Sequence, residues 1–382
     1  MSGGTSIGAS PARAGAPWPG VSVLVPVRDA EATIEACIGA LAASSVRDFE
    51  VVFVDDGSTD ATPRLLRDGV ERLARLGIPA MLLRNEDSRG AFASRNQAVE
   101  AARADVFFFT DADVEVGEET VARVHQRCAV EGLAAVIGLY SMDQPHDDAC
   151  TRYKNAWIRW SYLRAGEDVD WFFTAVGALR RDAWEACGPF LESFQRDTGG
   201  GDVDYGRRLV AGGRRVRLDR RLEVRHLRRF TLGSLLLNDF RRARGWAGLG
   251  LATAGLSGAA NGGIANVDRG FVRSVALSGF GLLVVACAAL GWAPPSLAAV
   301  ALLAHAASVS PFLVWFGRQT SAALALRCLP LSFLDHAACG FGVLSAILVH
   351  AAASRSGVKR PRSHQWPWMR TRGAPQGRGG PP

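Results

Sequence analysis

Between residues 21 and 137 the sequence alternates short apolar runs with longer amphipathic stretches, and this alternation restricts the fold more than any other feature. Runs such as VSVLVPV at 21–27 and FEVVFVDDG at 49–57 are rich in β-branched and aromatic residues, which is typical of buried strands. The intervening stretches have apolar residues at helical spacing. Strands that alternate with helices over short connections predict an α/β fold with a mostly parallel, doubly wound sheet flanked by helices.

Pairs of aspartates follow two of these predicted strands. Asp55 and Asp56 end the second strand, and Asp111 and Asp113 follow the strand in FFFTDADVE at 107–115. Ligands of such sheets bind outside the carboxyl ends of the strands. We therefore expect the four carboxylates to belong to one site.

The spacing of Asp111 and Asp113 indicates a metal site. Alternate residues of an extended strand share a face, so the two carboxylates can converge. Hard oxygen ligands suit Mg²⁺ or Mn²⁺, which also bind phosphate oxygens. The alternative is an aspartate pair that only caps the next turn or helix.

The segment VDDGSTDAT at 54–62 also allows two interpretations. Asp55 and Asp56 can accept hydrogen bonds from a base or a ribose, while Gly57 permits a tight turn. Turn and capping chemistry alone would require the same residues. The segment matches neither the G-x-G-x-x-G fingerprint nor the P-loop, which disfavours dinucleotide and P-loop sites.

The last third of the chain carries three long apolar runs, at 274–293, 297–317 and 331–353. Twenty apolar residues at about 1.5 Å per residue span one hydrocarbon core, so we predict two to three membrane helices. The alternative is helices buried in a globular domain. Three full crossings would place the arginine-rich tail outside, against the positive-inside tendency. Either the third run does not cross fully or the weaker stretch 246–266 also inserts.

Charge and cysteine content limit the partners. The formal net charge is +7, and much of it lies at 207–244 and after residue 354. This distribution favours an anionic membrane surface and anionic substrates, whereas no nucleic-acid-binding motif accompanies it. The seven cysteines are scattered and odd in number, as expected of reduced thiols.

Four ordered segments resemble a family 2 glycosyltransferase with the GT-A fold over roughly residues 20–245. The segments are VSVLVPVRDAEATIEACIGAL, FEVVFVDDGSTDAT, SRGAFASRNQAVEAARADVFFFTDAD and GGDVDYGRRL. The resemblance implies a nucleotide-sugar donor such as a UDP- or GDP-sugar, a divalent cation (Mg²⁺ or Mn²⁺), and inversion at the anomeric carbon.

The resemblance also implies roles for single residues. Asp202 takes the position of the base that deprotonates the acceptor hydroxyl, although a helix cap would also use it. Asp111 and Asp113 take the metal positions. The predicted substrate-binding residues are Asp29, Asp55, Asp56, Arg89, Arg95, Asp111, His226 and Arg244. His226 alternatively has a structural role, and Arg241, Arg242 and Arg244 alternatively contact lipid headgroups or only solvent.

Three departures from the family pattern matter. Gly201 replaces the glutamate that usually precedes the base, and Arg28-Asp29 replaces a frequent Tyr-Asn pair. The segment FRRARGW at 240–246 lacks the glutamine of the Q-x-x-R-W motif of processive synthases, and its tryptophan is displaced by one position. Non-processive transfer is therefore favoured.

The predicted organisation has five parts. They are a flexible segment at 1–19, a GT-A domain at 20–245, an interfacial linker at 246–270, membrane helices at 271–353 and a basic tail at 354–382. The N-terminus lacks the apolar core of a signal peptide, which places the catalytic domain in the cytoplasm. The predicted function is sugar transfer to a lipid-linked or membrane-proximal glycan acceptor at the cytoplasmic membrane. The alternatives are a nucleotidyltransferase and a non-catalytic scaffold that retains the fold.

Overall fold

The computed structural model describes residues 20–193, 200–261 and 268–355. The predicted flexible segment at 1–19 and nearly all of the predicted basic tail lie outside the described residues.

The described residues form nine strands in a single sheet. The strands are β1 (Val21–Val27), β2 (Phe49–Asp56), β3 (Ala80–Asn85), β4 (Val106–Thr110), β5 (Val114–Val116), β6 (Ala135–Tyr140), β7 (Asp168–Val169), β8 (Val176–Arg180) and β9 (Val216–His226). Their order is β3-β2-β1-β4-β8-β6-β9-β5, and β7 pairs with β9.

Helices cover the sheet and continue into a C-terminal bundle. The helices are α1 (Ile34–Ala42), α2 (Thr62–Arg75), α3 (Ala91–Ala101), α4 (Thr120–His125), α5 (Ala149–Leu163), α6 (Arg181–Cys187), α7 (Gly201–Ala211), α8 (Leu232–Asn261), α9 (Arg269–Ala289), α10 (Pro295–Gln319) and α11 (Ala322–Arg355). A π-helical turn at Gln126–Val130 extends α4.

The first half of the sheet agrees with the sequence prediction. Strands β3, β2, β1 and β4 run parallel. Strands β1, β2 and β4 are nearly or completely buried, whereas β3 at the sheet edge is half-buried; Phe107, Phe108 and Phe109 of β4 have no exposed surface. The predicted strands and helices of this half lie within a few residues of the observed ones because their apolar periodicity is local and strong.

The second half of the sheet is mixed. Strand β8 pairs antiparallel with β4 and with β6, whereas β6 and β9 are parallel. The alternation that predicted the first half of the sheet ends at residue 137, and the sequence predicted no individual strands beyond it. The second half places α5 and α7 beside the carboxyl end of β4, next to the predicted aspartates.

Helices α9, α10 and α11 are long and apolar enough to cross a membrane. Their outer surfaces are apolar, since Leu283, Leu303 and Leu348 are 61%, 68% and 61% exposed. In the most apolar 18-residue stretches of α9, α10 and α11, only 22%, 22% and 39% is buried in the protein. This low burial disfavours helices packed inside a globular domain.

Helix α8 joins the catalytic domain to the bundle. The predicted boundary between residues 245 and 246 falls inside this continuous helix. Helix α8 packs closely on α11, because a Cβ atom at Gly342 would lie 2.3 Å from the carbonyl oxygen of Phe240. The division of this region into domain and linker therefore stays a prediction.

Candidate active site

A cavity of about 900 Å³ opens at the carboxyl ends of β1, β2 and β4. This is the edge of a parallel sheet at which ligands bind. Five of the predicted site residues line the cavity: Asp29, Asp56, Arg95, Asp111 and Asp113. The fold therefore brings together residues that are up to 84 positions apart in the chain.

Asp111 is paired with an arginine of α3. The Arg95 Nη2 atom lies 2.6 Å from Asp111 Oδ1, and only 6% of the Arg95 side chain is exposed. Asp111 is 31% exposed. The second carboxylate oxygen of Asp111 takes no part in this ion pair. Arg95 places a buried positive charge beside the cavity.

Asp113 contacts a histidine of β9 whose ring is held in place by other side chains. The His226 Nε2 atom lies 3.6 Å from Asp113 Oδ2. The other ring nitrogen lies 2.7 Å from Asn155 Oδ1, and Asn155 donates to Gln144. The His226 ring is stacked on Tyr140 with centroids 4.3 Å apart. These contacts fix the imidazole against the carboxylate.

Interactions with charged neighbours set the protonation of Asp113. Burial acts to raise the pKa of Asp113, but contact with His226 and the charge of Arg228 hold it below its ordinary value. The carboxylate is therefore the charged form over a wide pH range, as a cation ligand must be.

The two aspartates of β2 have different environments. Asp56 accepts hydrogen bonds from Asn85, Ser88 and the N–H groups of Arg89 and Gly90, at 2.7–2.9 Å. Burial acts to raise the pKa of Asp56, but these hydrogen bonds lower it overall. Asp56 thus orders the loop before α3 at the cavity wall.

Asp55 is fully buried and does not line this cavity. One of its oxygens accepts from the N–H of Ser58 at 3.0 Å, and the other lies 3.1 Å from Arg84 Nη1. Gly57 follows with a φ of +71°, so the predicted tight turn is present. These contacts are the turn chemistry that the sequence left as the alternative, and donor binding by Asp55 stays a prediction.

Asp29 joins two loops at the cavity. Its Oδ1 atom accepts from the N–H of Thr59 at 2.8 Å, and its own N–H donates to Ser58 Oγ at 3.0 Å. Its φ of +45° is unusual for a residue with a side chain. Asp29 therefore positions the rim, and its carboxylate is partly engaged before any ligand binds.

The predicted base, Asp202, lies in the first turn of α7 and is half-buried. The Thr174 hydroxyl donates to Asp202 Oδ1 at 3.2 Å. Burial raises the pKa of Asp202, the charge of Arg95 opposes this effect, and the charge of Asp111 adds to it. A carboxylate with a raised pKa is a better proton acceptor than a solvated one.

Gly201 lies where a larger side chain does not fit. A Cβ atom at this position would lie 2.3 Å from the ring of Phe92, which stacks on Phe190 with centroids 5.4 Å apart. The replacement of the usual glutamate by glycine therefore has a packing reason, because Phe92 occupies the space of a side chain at 201.

Five predicted residues do not line the cavity: Asp55, Asp202 and His226, described above, and the two arginines Arg89 and Arg244. Arg89 is 54% exposed, and its Nη2 atom lies 3.9 Å from Glu192 Oε1. Arg244 lies on α8 at its close contact with α11, where a Cβ atom at Gly342 would approach its backbone nitrogen to 3.1 Å. The neighbouring Arg242 instead lines a second cavity, described below.

Several residues of the site had no sequence signal. His146, Arg228 and Arg229 line the cavity, and Thr174 contacts the base. Arg228 and Arg229 follow His226 in VRHLRR, so their position after a strand end was the one available indication. His146 and Thr174 occur in no motif that we recognised.

The acidic residues fit a divalent cation that also binds a phosphate ligand. No group of three or more metal-ligating side chains occurs among the described residues. Mg²⁺ commonly uses only one or two carboxylates and takes its other ligands from water and substrate phosphates. Asp113 and the second oxygen of Asp111 form such an incomplete set beside a roomy cavity.

The family comparison matches less than half of the chain, the part that carries Asp29, Asp56, Arg95, Asp111 and Asp113. Residues 22–183 match the model of glycosyl transferase family 2. The glycosyltransferase AglE of Haloferax volcanii is 24% identical over 229 residues, which covers 59% of this chain and 73% of AglE.

A second relative is the undecaprenyl-phosphate 4-deoxy-4-formamido-L-arabinose transferase of Pseudomonas paraeruginosa. It is 31% identical over 170 residues, covering 44% of this chain and 48% of that enzyme. The match thus spans less than half of this relative's length.

A solved structure shares the fold over most of the chain. It is the mannosyltransferase PcManGT from Pyrobaculum calidifontis in complex with GDP-Man and Mn²⁺. The TM-score is 0.55 at 22% identity, and the match covers 87% of this chain and 88% of PcManGT. The predicted GT-A fold with C-terminal apolar helices is confirmed.

Proposed function

Because the chain is a family 2 glycosyltransferase, with its family match at residues 22–183, we propose that it moves a sugar from a nucleoside diphosphate sugar to an acceptor hydroxyl with inversion. The observation that carries this proposal is the cavity at the carboxyl strand ends, where Asp56, Asp111 and Asp113 meet the buried charge of Arg95. PcManGT was solved with GDP-Man and Mn²⁺, which supports the same donor class here.

The donor would lie across the strand ends. Asp56 orders the loop on which Arg89 and Gly90 lie, and Asp29 orders the opposite rim. Arg95 and Arg228 supply positive charge for the phosphates at the cavity wall. Asp113, with Asp111, would hold Mg²⁺ or Mn²⁺, which when bound supplies Lewis-acid stabilisation of the leaving diphosphate.

The chemical step needs one proton acceptor. The acceptor oxygen attacks the anomeric carbon as Asp202 takes its proton, and the bond from that carbon to the diphosphate oxygen breaks. The nucleoside diphosphate leaves with the bonding electron pair from the face opposite the attack, which gives inversion. A positioned base contributes typically about 10²–10⁴ in rate.

The acceptor and location follow from the apolar helices. Helices α9, α10 and α11 support a membrane location. The proposal places the catalytic domain on the cytoplasmic side. A lipid-linked or membrane-proximal acceptor would reach the site by diffusion in the membrane plane. One relative is named for an undecaprenyl-phosphate acceptor, which supports an acceptor at the membrane.

The test is release of nucleoside diphosphate from a panel of UDP-, GDP- and dTDP-sugars by membranes that express the full chain. We expect turnover of one donor that requires Mg²⁺ or Mn²⁺ and is lost in Asp113→Ala. Asp105→Ala is the matched control, because Asp105 is 96% exposed at the opposite end of β4. Folded protein that turns over no donor when a lipid extract is supplied would contradict the proposal and favour the scaffold interpretation.

A further inference from the structure

A second cavity of about 410 Å³ lies between the catalytic domain and the C-terminal helices. Its volume is within the range of about 300–1,000 Å³ that is typical of small-molecule sites. Its walls come from α5, the segment before β8, α8 and the helices α9 and α11. None of the residues predicted from the sequence to form the site lines it.

The walls are unusually rich in tryptophan. Trp157, Trp160, Trp171 and Trp246 all line the cavity, together with Phe271. The flat apolar faces of indole rings pack against the C–H faces of sugar rings, whereas the N–H group can donate to a hydroxyl.

Two of these indoles, those of Trp171 and Trp246, have an unused donor among the described residues. The Nε1 atom of Trp246 is buried and has no hydrogen-bond partner within the described part of the chain. A buried donor without an acceptor costs about 1–3 kcal/mol. A ligand hydroxyl in the cavity would satisfy it.

The charges around the cavity do not favour an anionic occupant. Three basic and four acidic side chains line it, and two of the basic ones are already neutralised. Lys154 is paired with Asp239, and Arg164 Nη2 lies 2.9 Å from Asp268 Oδ2. The third, Arg242, lies over the ring of Trp246, 5.0 Å from its centroid.

The cavity lies beside the predicted base. The N–H of Phe172, the residue after Trp171, donates to the backbone carbonyl of Asp202 at 3.0 Å. Burial raises the pKa of Asp202, and the charge of Arg242 from the cavity wall partly opposes this. The cavity is therefore adjacent to the base, although Asp202 itself does not line it.

From the tryptophan walls, the unused indole donors and the pairing of two of the three cations, we infer that this cavity binds a neutral sugar ring of the acceptor, so that the enzyme extends an existing saccharide and does not glycosylate a bare lipid phosphate. The inference rests on the proposed function, because it names the acceptor for the same base. A phosphate acceptor would need several free cations and no general base, whereas two of the three cations here are paired with carboxylates and the base lies next to the cavity. The α9 and α11 walls place the saccharide at the boundary with the membrane helices.

The first experiment identifies the atom that receives the sugar. Membranes that express the full chain are incubated with the radiolabelled donor, and the products are treated with mild acid, which cleaves sugar–phosphate bonds but leaves glycosidic bonds. We expect the label at the non-reducing end of a disaccharide or longer glycan. Label released as a monosaccharide would overturn the inference. Absence of both transfer and donor hydrolysis would instead refute the proposed function.

The second experiment assigns the cavity. Trp246→Phe keeps the ring and removes the donor, so we expect roughly a three- to tenfold higher KM for the acceptor, with unchanged donor hydrolysis in the absence of acceptor. Arg241→Gln is the matched control, because Arg241 is exposed on the same helix and does not line the cavity. Equal acceptor KM values in Trp246→Phe and wild type, in a sugar-free detergent, would overturn the assignment of this cavity.

Discussion

Burial and a hydrogen bond from one hydroxyl act in opposite directions on the pKa of Asp202. Burial raises the pKa of Asp202, and the hydrogen bond from Thr174 lowers it by stabilising the charged form. The base must be deprotonated to accept a proton, so activity falls when the pH drops through this raised pKa. The acid limb of the pH profile therefore reports the environment of a single residue.

We expect the acid limb of kcat/KM to lie above the ordinary aspartate pKa of about 3.9. Thr174→Val removes the hydroxyl that stabilises the carboxylate, so the limb should move to still higher pH. Asp202→Asn should lower transfer by about 10²–10⁴ at every pH while donor binding persists. The measurement is the rate of transfer from pH 4 to 8.

Thr320→Val serves as the control, because the Thr320 hydroxyl bonds only to the carbonyl of Phe316 at the end of α10. An acid limb that is the same in Thr174→Val and wild type would show that Asp202 is not the titrating base.

Among the elements, α3 and α7 are linked by the contact between Phe92 and Gly201. Phe92 lies in the first turn of α3, and Gly201 is the first residue of α7. Both helices carry site residues, Arg95 on α3 and Asp202 on α7. The close approach of Phe92 to Gly201 therefore sets the distance between the two helices that carry these site residues.

We expect Gly201→Ala to destabilise the protein by about 1–3 kcal/mol, because its Cβ atom would lie 2.3 Å from the Phe92 ring. The double variant Gly201→Ala with Phe92→Ala should recover part of this loss relative to Phe92→Ala alone. The unfolding midpoints of the four proteins form a double-mutant cycle.

Gly39→Ala is the control for the helical substitution itself. Apart from the backbone of its own helix and its chain neighbours, no described atom lies within 4 Å of a Cβ atom placed at Gly39 in α1, so alanine should be neutral or stabilise by up to about 1 kcal/mol. Additive effects of the Gly201 and Phe92 substitutions would rule out the steric conflict.

At the scale of the whole molecule, contacts with α5 show in which direction α9 and α10 run relative to the catalytic domain. The start of α9 contacts α5 through Phe271 and Trp157, whose ring centroids are 5.5 Å apart. The end of α10 contacts α5 through Phe312 and Tyr153, at 5.6 Å. Helix α9 therefore leaves the catalytic domain and α10 returns to it, so the turn at 290–294 lies at the far end.

We expect a protease site inserted after Gly291 to be cleaved only from the side of the membrane opposite the catalytic domain. The same site inserted after Gly77, in the turn between α2 and β3, should be cleaved only from the catalytic side. The protein should also stay in the membrane fraction at high salt, because burial of apolar surface, unlike the attraction of arginines to headgroups, is not screened. Cleavage of both sites from one side would contradict the crossing of α9 and α10.

Much of the candidate site could be predicted because its signals are local. Asp56 ends the apolar strand β2, Asp111 and Asp113 follow the apolar strand β4 within three residues, and parallel strands bring their carboxyl ends to one edge. His226 was predicted from the resemblance alone, and its contact with Asp113 joins strands β9 and β5, whose pairing no local pattern encodes. Thr174 was missed for the same reason.

The sequence by itself determined the strands β1–β4, the aspartate pairs at their ends and the apolar helices, since periodicity and composition act over neighbouring residues. Only the tertiary structure decided which side chains meet: Phe92 with Gly201, Thr174 with Asp202, and Arg242 with the tryptophan cavity. Arg242 and Arg244 are two positions apart on α8 and so point roughly 200° apart around the helix. The sequence contains both arginines, but the packing of α8 against α11 sets which one faces the cavity.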